Sequence, residues 1–322
     1  MSRSLRGSRR RRLVGPAGLD TQVTVGGVEL PNPLLLASGT AGYGNELAAY
    51  VDLSTVGAVV TKSLAPYEWA GNPAPRVHPA GPGMLNAVGL QGPGVEHWLH
   101  HELPELLATG ARVVASIWGR SLDDYRRAAD LMAAAPGGVV AVEVNLSCPN
   151  LEGRRGIFAH DPELSAAVVA ATEGCGRPRW AKLSPNTDRV VEVASAVWDA
   201  GAEAVTLVNT LLGMVLDETT LRPALGAGGG GLSGAGIHAV AVRVVHDVRA
   251  ALPGLPIVGV GGVSRGWDAI ELMAVGASAV GVGTATFADP RAVVHVFDDM
   301  CSWATRRGLT SLAALTDRAH HR

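Results

Sequence analysis

VVAVEVNLSCPNLEGRRGIFAHDPELSAAVVAATEGCGRPRWAKLS, residues 139–184, reads as strand, helix, strand. VVAVEVNLS (139–147) and RWAKLS (179–184) are short apolar runs, the near-continuous kind expected of strands covered on both faces. DPELSAAVVAAT (161–172) between them opens on an N-cap residue, Asp161, followed by Pro162, which suits the first helical position. Two strands joined through a helix make a parallel unit.

The alternation continues in both directions. Further apolar runs are LLLAS (34–38), AVVTKS (58–63), RVVASIW (112–118), AVTLVN (204–209), PIVGVGGV (256–263) and AVGVGTA (279–285). Helical patterns fall at 121–135, 188–201, 236–252 and 266–277. Eight strands over about 250 residues predict a single closed α/β barrel of the (β/α)8 TIM type. A doubly wound open sheet is the alternative. QVTVGGVELPNP (22–33) predicts an N-terminal β-hairpin turning at Gly26-Gly27. The connections 64–95 and 210–235 are too long for plain turns and read as active-site loop insertions. The expected organisation is a basic disordered tail, 1–21, and one catalytic barrel domain, 22–322.

Composition narrows the function. Hydrophobic residues make up 47% of the 322, enough for a sizeable core, and charged residues 17%. No apolar run reaches membrane-spanning length, so no membrane partner is expected. Six of the 27 basic side chains are arginines within residues 1–12; the other 21, against 29 acidic ones, leave the body at −8. An acidic body argues against nucleic acid. Three widely spaced cysteines without a C-x-x-C argue against a disulfide framework or an internal iron–sulfur site and fit the cytoplasm. Cys175 and Cys301 read as buried inert thiols. HWLHH places His97 and His101 at i, i+4, but no third ligand follows at a zinc spacing, so a helix face is expected and no metal.

Only two of the 27 basic residues are lysines, Lys62 and Lys182. A chain that writes Arg for nearly every cation has a reason for these two, and a compact ammonium with a tunable pKa supplies one. In a barrel the site forms at the C-terminal strand ends. Those ends carry Ser38, Lys62-Ser63, Asn145 with Cys148 and Asn150, Lys182, Asn209-Thr210, Gly261-Gly262 and Gly283-Thr284. The glycines after the seventh and eighth strands suit phosphate held by backbone N–H groups. With Lys182 across the barrel they suggest a cofactor with a phosphate tail, such as a flavin. The side-chain amides of Asn86, Asn145, Asn150 and Asn209 could read the edge of a pyrimidine-like ring.

These motifs together, LLLASGT, VVTKS, MLNAVGLQGPG, EVNLSCPN, AKLSPN, LVNT, GGLSG, GVGGV and VGTA, resemble the class 1 dihydroorotate dehydrogenases from about residue 22 to the C-terminus. The resemblance implies an FMN-dependent enzyme of pyrimidine biosynthesis that oxidises dihydroorotate to orotate. It implies Cys148 as the general base and Lys62 as a catalytic residue touching flavin and substrate. Ser38, Lys62, Ser63, Asn145, Lys182, Val208, Gly234, Gly261, Gly262, Gly283 and Thr284 would hold FMN. Lys62, Asn86, Ala87, Val88, Gly89, Leu90, Asn145, Asn150, Asn209 and Thr210 would hold the substrate. Residues 151–162 would form a lid. Within the class the chain is similar to the catalytic subunit of the NAD-linked type, which works with a subunit carrying FAD and a 2Fe–2S cluster, on a homodimeric core. Gly92 stands where that type usually has Asn and Ser116 where it often has Asn. GAGIHA (234–239) replaces a stretch containing Pro and Lys. Rival readings are a related dihydropyrimidine oxidoreductase, a flavin-free phosphate-binding isomerase or lyase, and a silent interaction subunit.

Overall fold

The computed structural model describes residues 10–147, 149–150 and 156–321. The hairpin is β1 (Val23–Val25) and β2 (Val28–Leu30). The barrel strands are β3 (Leu34–Leu36), β4 (Ala58–Val60), β7 (Val113–Ile117), β8 (Val139–Asn145), β11 (Arg179–Lys182), β12 (Ala204–Leu207), β15 (Ile257–Val260) and β16 (Ala279–Val282). They close in chain order, β16 pairing in parallel with β3 through Val280↔Leu34 and Gly281↔Leu35. The predicted (β/α)8 barrel is what forms. β3, β4, β7, β12 and β16 are buried at every residue, which is why their sequences show no alternation.

Helices α1 (Val95–His100), α2 (Glu102–Ala108), α3 (Leu122–Met132), α4 (Pro162–Ala171), α5 (Val190–Asp199), α6 (His238–Ala251), α7 (Gly266–Ala274), α8 (Ala285–Ala288) and α9 (Ala292–Arg306) complete the chain. α3 shows why they form. Ser121 caps it by accepting from Asp124 N, two acids sit in its first turn, and Tyr125, Ala128, Ala129 and Met132 form the buried stripe. Asp161 caps α4 in the same way, from the position expected. Between β3 and β4 there is no α-helix, only two 3-10 turns, Glu46–Ala49 and Leu53–Thr55.

The hairpin plugs the N-terminal end of the barrel. A Cβ on Gly26 would lie 2.7 Å from the carbonyl of Glu203, immediately before β12. Residues 10–21, expected in a disordered tail, pack on the barrel: Leu13 and Leu19 join the core, and Arg11 and Asp20 bridge to Val51 and Ser311. Arg3, Arg6 and Arg9 lie outside the described residues.

The two long insertions are not loops throughout. β5 (Val77–Ala80), β6 (Gly83–Asn86), β13 (Leu211–Gly213) and β14 (Gly230–Gly234) form an antiparallel sheet ordered β13-β14-β6-β5. Glycine hides this pattern from the sequence and makes the packing possible. A Cβ on Gly83 would lie 2.0 Å from the Ser233 carbonyl, and one on Gly230 2.5 Å from that of Asn86. Thr284, beyond β16, donates to Ser233 Oγ at 2.8 Å, so this sheet stands at the C-terminal mouth. A two-residue pair, β9 (Pro149–Asn150) and β10 (Gly156–Ile157), lies beyond β8. No described helix is long and apolar enough to cross a membrane.

Candidate active site

Register brings the polar residues of neighbouring strands side by side. Ser116 on β7 pairs with Glu143 on β8, and Lys182 on β11 pairs with Asn145, two residues beyond Glu143 and on the same face. All four are buried. Ser116 Oγ donates to Glu143 Oε1 at 3.0 Å. Ser63 Oγ lies 2.9 Å from Ser116 Oγ and accepts from Asn145 Nδ2 at 3.1 Å. A hydroxyl has one proton to give. That of Ser116 is spent on the carboxylate, so Ser63 must donate to Ser116. The result is a one-way chain, Asn145 to Ser63 to Ser116 to Glu143. Asn145 Oδ1 accepts from the Ser147 N–H at 3.2 Å and from Asn209 Nδ2 at 3.3 Å, and Tyr125 Oη donates to the Asn145 carbonyl at 2.6 Å.

Lys182 is 7% exposed and Glu143 2%. Their charged atoms are 3.9 Å apart, an ion pair without a hydrogen bond. No described residue accepts a hydrogen bond from this ammonium. A buried cation in that state is costly, and an acceptor-rich or anionic ligand relieves it. Lys62, just beyond β4, is half-buried with Nζ 5.3 Å from the centroid of the Tyr43 ring. Burial pushes its pKa down, and the charge of Arg76 adds to this.

Asn86 to Leu90 leave β6 as a shaped segment. Asn86 Nδ2 donates to the Gly231 carbonyl at 3.3 Å, Ala87 N to Arg76 O at 2.8 Å, and Asn72 N to Val88 O at 3.1 Å. The Gly89 carbonyl accepts from Trp69 Nε1 at 2.9 Å. Leu90 has φ +61°, a left-handed conformation uncommon in a non-glycine residue and often found where a ligand is gripped. At Gly92 a Cβ would lie 2.5 Å from Tyr43 Oη, so any side chain there requires the Tyr43 ring to shift.

The third part is the pair of glycine turns. Gly261 and Gly262 have φ +143° and +71°, and Gly234 +96°. α6 presses on the first turn: Cβ atoms on Gly261 and Gly262 would lie 2.6 Å from those of Ala241 and His238. Val208 is buried and donates its N–H to the Val260 carbonyl at 2.8 Å. Gly283 and Ser38 are half-buried at neighbouring strand ends, and a Cβ on Gly39 would meet nothing within 4 Å.

Ser63, Asn145, Lys182 and Asn209 are thus one connected set. Thr210 links them to the sheet: its N–H donates to Asn209 Oδ1 at 2.9 Å, its carbonyl accepts from Asn186, and Gly231 packs on its hydroxyl. Thr284 links the sheet to the glycine turns. Cys148, expected as the base, and residues 151–155 of the expected lid lie outside the described residues. Asn150 is placed only as backbone in β9. Sequence reasoning missed Glu143 and Asn186. An acid inside an otherwise apolar strand run was the available signal for Glu143. Ser147 Oγ and Thr206 Oγ1 are buried without a partner, Thr206 beside Lys182 in register. The rings of His97 and His101 lie tilted by 35° with centroids 4.2 Å apart, and the described residues hold no cluster able to bind a metal.

The sequence pattern of the dihydroorotate dehydrogenases matches residues 20–303, the barrel and its mouth. The chain belongs to the dihydroorotate dehydrogenase family. Full-length relatives agree with this family assignment. One from Geotalea uraniireducens is 41% identical over 92% of this chain and 97% of its own length. Those from Desulforudis audaxviator and Listeria innocua are 42% and 40% identical, over 93% and 91% of this chain and 97% and 96% of their own. All three bear the name dihydroorotate dehydrogenase B (NAD(+)), catalytic subunit. A member of this oxidoreductase family uses a flavin. The unmet ammonium of Lys182, the glycine turns and the buried acceptor-seeking hydroxyls are groups that such a ligand would satisfy.

Proposed function

We propose that this dihydroorotate dehydrogenase oxidises dihydroorotate to orotate with FMN, within pyrimidine biosynthesis in the cytoplasm. The observation that carries the reading is the convergence of Ser63 (next in sequence to Lys62), Asn145 and, through Glu143, Lys182 in one buried network that the half-buried Asn209 joins at the barrel mouth. Bound there, FMN supplies the two-electron acceptor for a hydride leaving the substrate ring.

Ser38, Ser63, Asn145, Lys182 and Val208 would hold the ring system, with Gly234, Gly261, Gly262, Gly283 and Thr284 around the ribityl phosphate. Lys182 would face charge that develops on the ring, with Glu143 3.9 Å behind it as a counter-charge. Asn209, Thr210, Asn150 and the segment Asn86–Leu90 would orient the dihydropyrimidine. Lys62 would take its carboxylate. Cys148 would remove the proton from the carbon next to the ring carbonyl as the adjacent carbon gives up hydride, so two electrons and one proton leave with the hydride and a second proton goes to sulfur. A free thiol has a pKa of about 8.5, so a base of this kind works as its thiolate.

Electrons would pass to an NAD-linked partner subunit carrying FAD and a 2Fe–2S cluster, docked on a homodimeric core. Anaerobic addition of dihydroorotate to the FMN-loaded protein tests the reading. Bleaching of the flavin absorbance, with orotate formed in equal amount, is expected. A flavin that stays oxidised would overturn it. Reoxidation by NAD only when the partner is present, and not by fumarate, would support the partner assignment.

A further inference from the structure

His238 opens α6 directly behind the turn at Gly261-Gly262. The two are in contact, since a Cβ on Gly262 would lie 2.6 Å from that of His238. Nδ1 of His238 lies 2.8 Å from the Gly261 carbonyl oxygen, and Nε2 lies 3.0 Å from Glu271 Oε2. Both partners are acceptors. A neutral imidazole has one N–H and one lone pair, so either tautomer sets a lone pair against an oxygen. An imidazolium donates to both.

We infer that His238 is a doubly protonated positioning residue: its Nδ1–H pins the Gly261-Gly262 turn, and its charge sits behind the backbone that receives the FMN phosphate. This rests on the reading above that the turn binds that phosphate. The side chain is 15% exposed, which keeps its field from being fully screened. A cation at the first residue of a helix opposes the helix dipole, so the position does not serve the helix. The charged groups facing it come from α7: Glu271, and Asp268, whose carboxylate is engaged by Ser264 and Arg265. β14, residues 235–237, β15 and Gly261–Val263 carry no ionisable side chain. On α5, Glu192 pairs with Arg189 and Asp199 is exposed.

Loss of the imidazolium proton with rising pH removes both a donor and the charge, so FMN affinity falls. The phosphate's own second ionisation, at about pH 6, affects wild type and variants alike. The test titrates full-length apoprotein with FMN and with riboflavin, which lacks the phosphate, from pH 6 to 8.5, in wild type and His238→Gln. Wild type is expected to prefer FMN over riboflavin about tenfold more than the variant does at pH 6, with the difference vanishing at high pH. Riboflavin affinity should match in the two proteins. Equal losses for FMN and riboflavin would reduce His238 to packing and overturn the inference. Wild type that binds riboflavin but shows no preference for FMN at any pH would overturn the phosphate reading itself. Nitrogen NMR of the wild-type imidazole gives an answer without a variant: two protonated ring nitrogens at neutral pH are expected, and a bare one refutes the assignment. In Glu271→Gln, which removes the stabilising carboxylate, the FMN preference should disappear at a lower pH than in wild type; an unchanged profile counts against the pair.

Discussion

Glu143 and Lys182 test the electrostatics of the site without any ligand. Their charges are 3.9 Å apart and both side chains are nine-tenths or more buried. At an effective dielectric constant of about 20, Coulomb's law gives an attraction of about 4 kcal/mol. Glu143→Gln keeps the shape and an oxygen to accept from Ser116, but leaves a buried ammonium uncompensated. Removing one partner of such a pair typically costs about 3–5 kcal/mol. Lys182→Met leaves the carboxylate uncompensated and should cost a similar amount. The double variant holds neither charge, so it should be more stable than the two losses added together by about 2–4 kcal/mol. Urea unfolding of the four apoproteins measures this. A coupling below about 0.5 kcal/mol, within the scatter expected of independent sites, would mean that the two groups do not sense each other.

Other perturbations follow from the same geometry. Cys148→Ala should retain FMN but lose turnover about a hundredfold or more at neutral pH, measured by steady-state dihydroorotate oxidation. Gly262→Ala must place a methyl group 2.6 Å from His238 Cβ at φ +71°. It should cost about 1–3 kcal/mol and release flavin, seen as a lowered flavin-to-protein ratio after purification. Asp317, held by the Arg249 guanidinium with Nε to Oδ1 at 2.7 Å, has its pKa lowered by that hydrogen bond. A depressed carboxylate pKa stabilises the fold above the unfolded-state value, and the contribution fades as pH falls through the folded value. Asp317→Asn should therefore melt earlier at pH 7, by about 1 kcal/mol, and the gap to wild type should close in acid.

The barrel was legible because eight strands buried on both faces cannot look like anything but short apolar runs, and their connecting helices carry capping residues such as Ser121 and Asp161. The mouth was legible because it is built at strand ends and because lysine is scarce. The four-stranded sheet was not. Its glycines at 83, 230, 231 and 234 are dictated by backbone and side-chain contacts across the sheet, and glycine carries no side chain from which a period of two could be read. Helix α9, with Val293, Val296, Phe297, Met300 and Ala304 buried, has a clear apolar stripe but follows the eighth strand, so no further strand frames it as part of a strand–helix–strand unit. Glu143 and His238 escaped for another reason. Each acts through a neighbour, Glu143 through Ser116 and His238 through a backbone carbonyl, and such roles exist only once register and helix placement are known.

The two lysines also differ in a way that their shared position conceals. Lys182 has the Glu143 carboxylate 3.9 Å away as a counter-charge, while among the described residues no carboxylate lies within ion-pairing distance of Lys62, which instead feels the like charge of Arg76. A compensated ammonium binds a neutral ring with little penalty and responds when charge appears on it. An uncompensated one, with its pKa already pressed down by burial, gains most from an anion present before any electron moves. On the proposed reading this divides the labour: Lys62 draws in the substrate carboxylate and Lys182 stabilises the product of hydride transfer. Exchange of the roles would reverse the kinetic signatures. Lys62→Ala should then spoil kcat while sparing KM, whereas the electrostatics on either side of the mouth demand that its larger effect fall on KM.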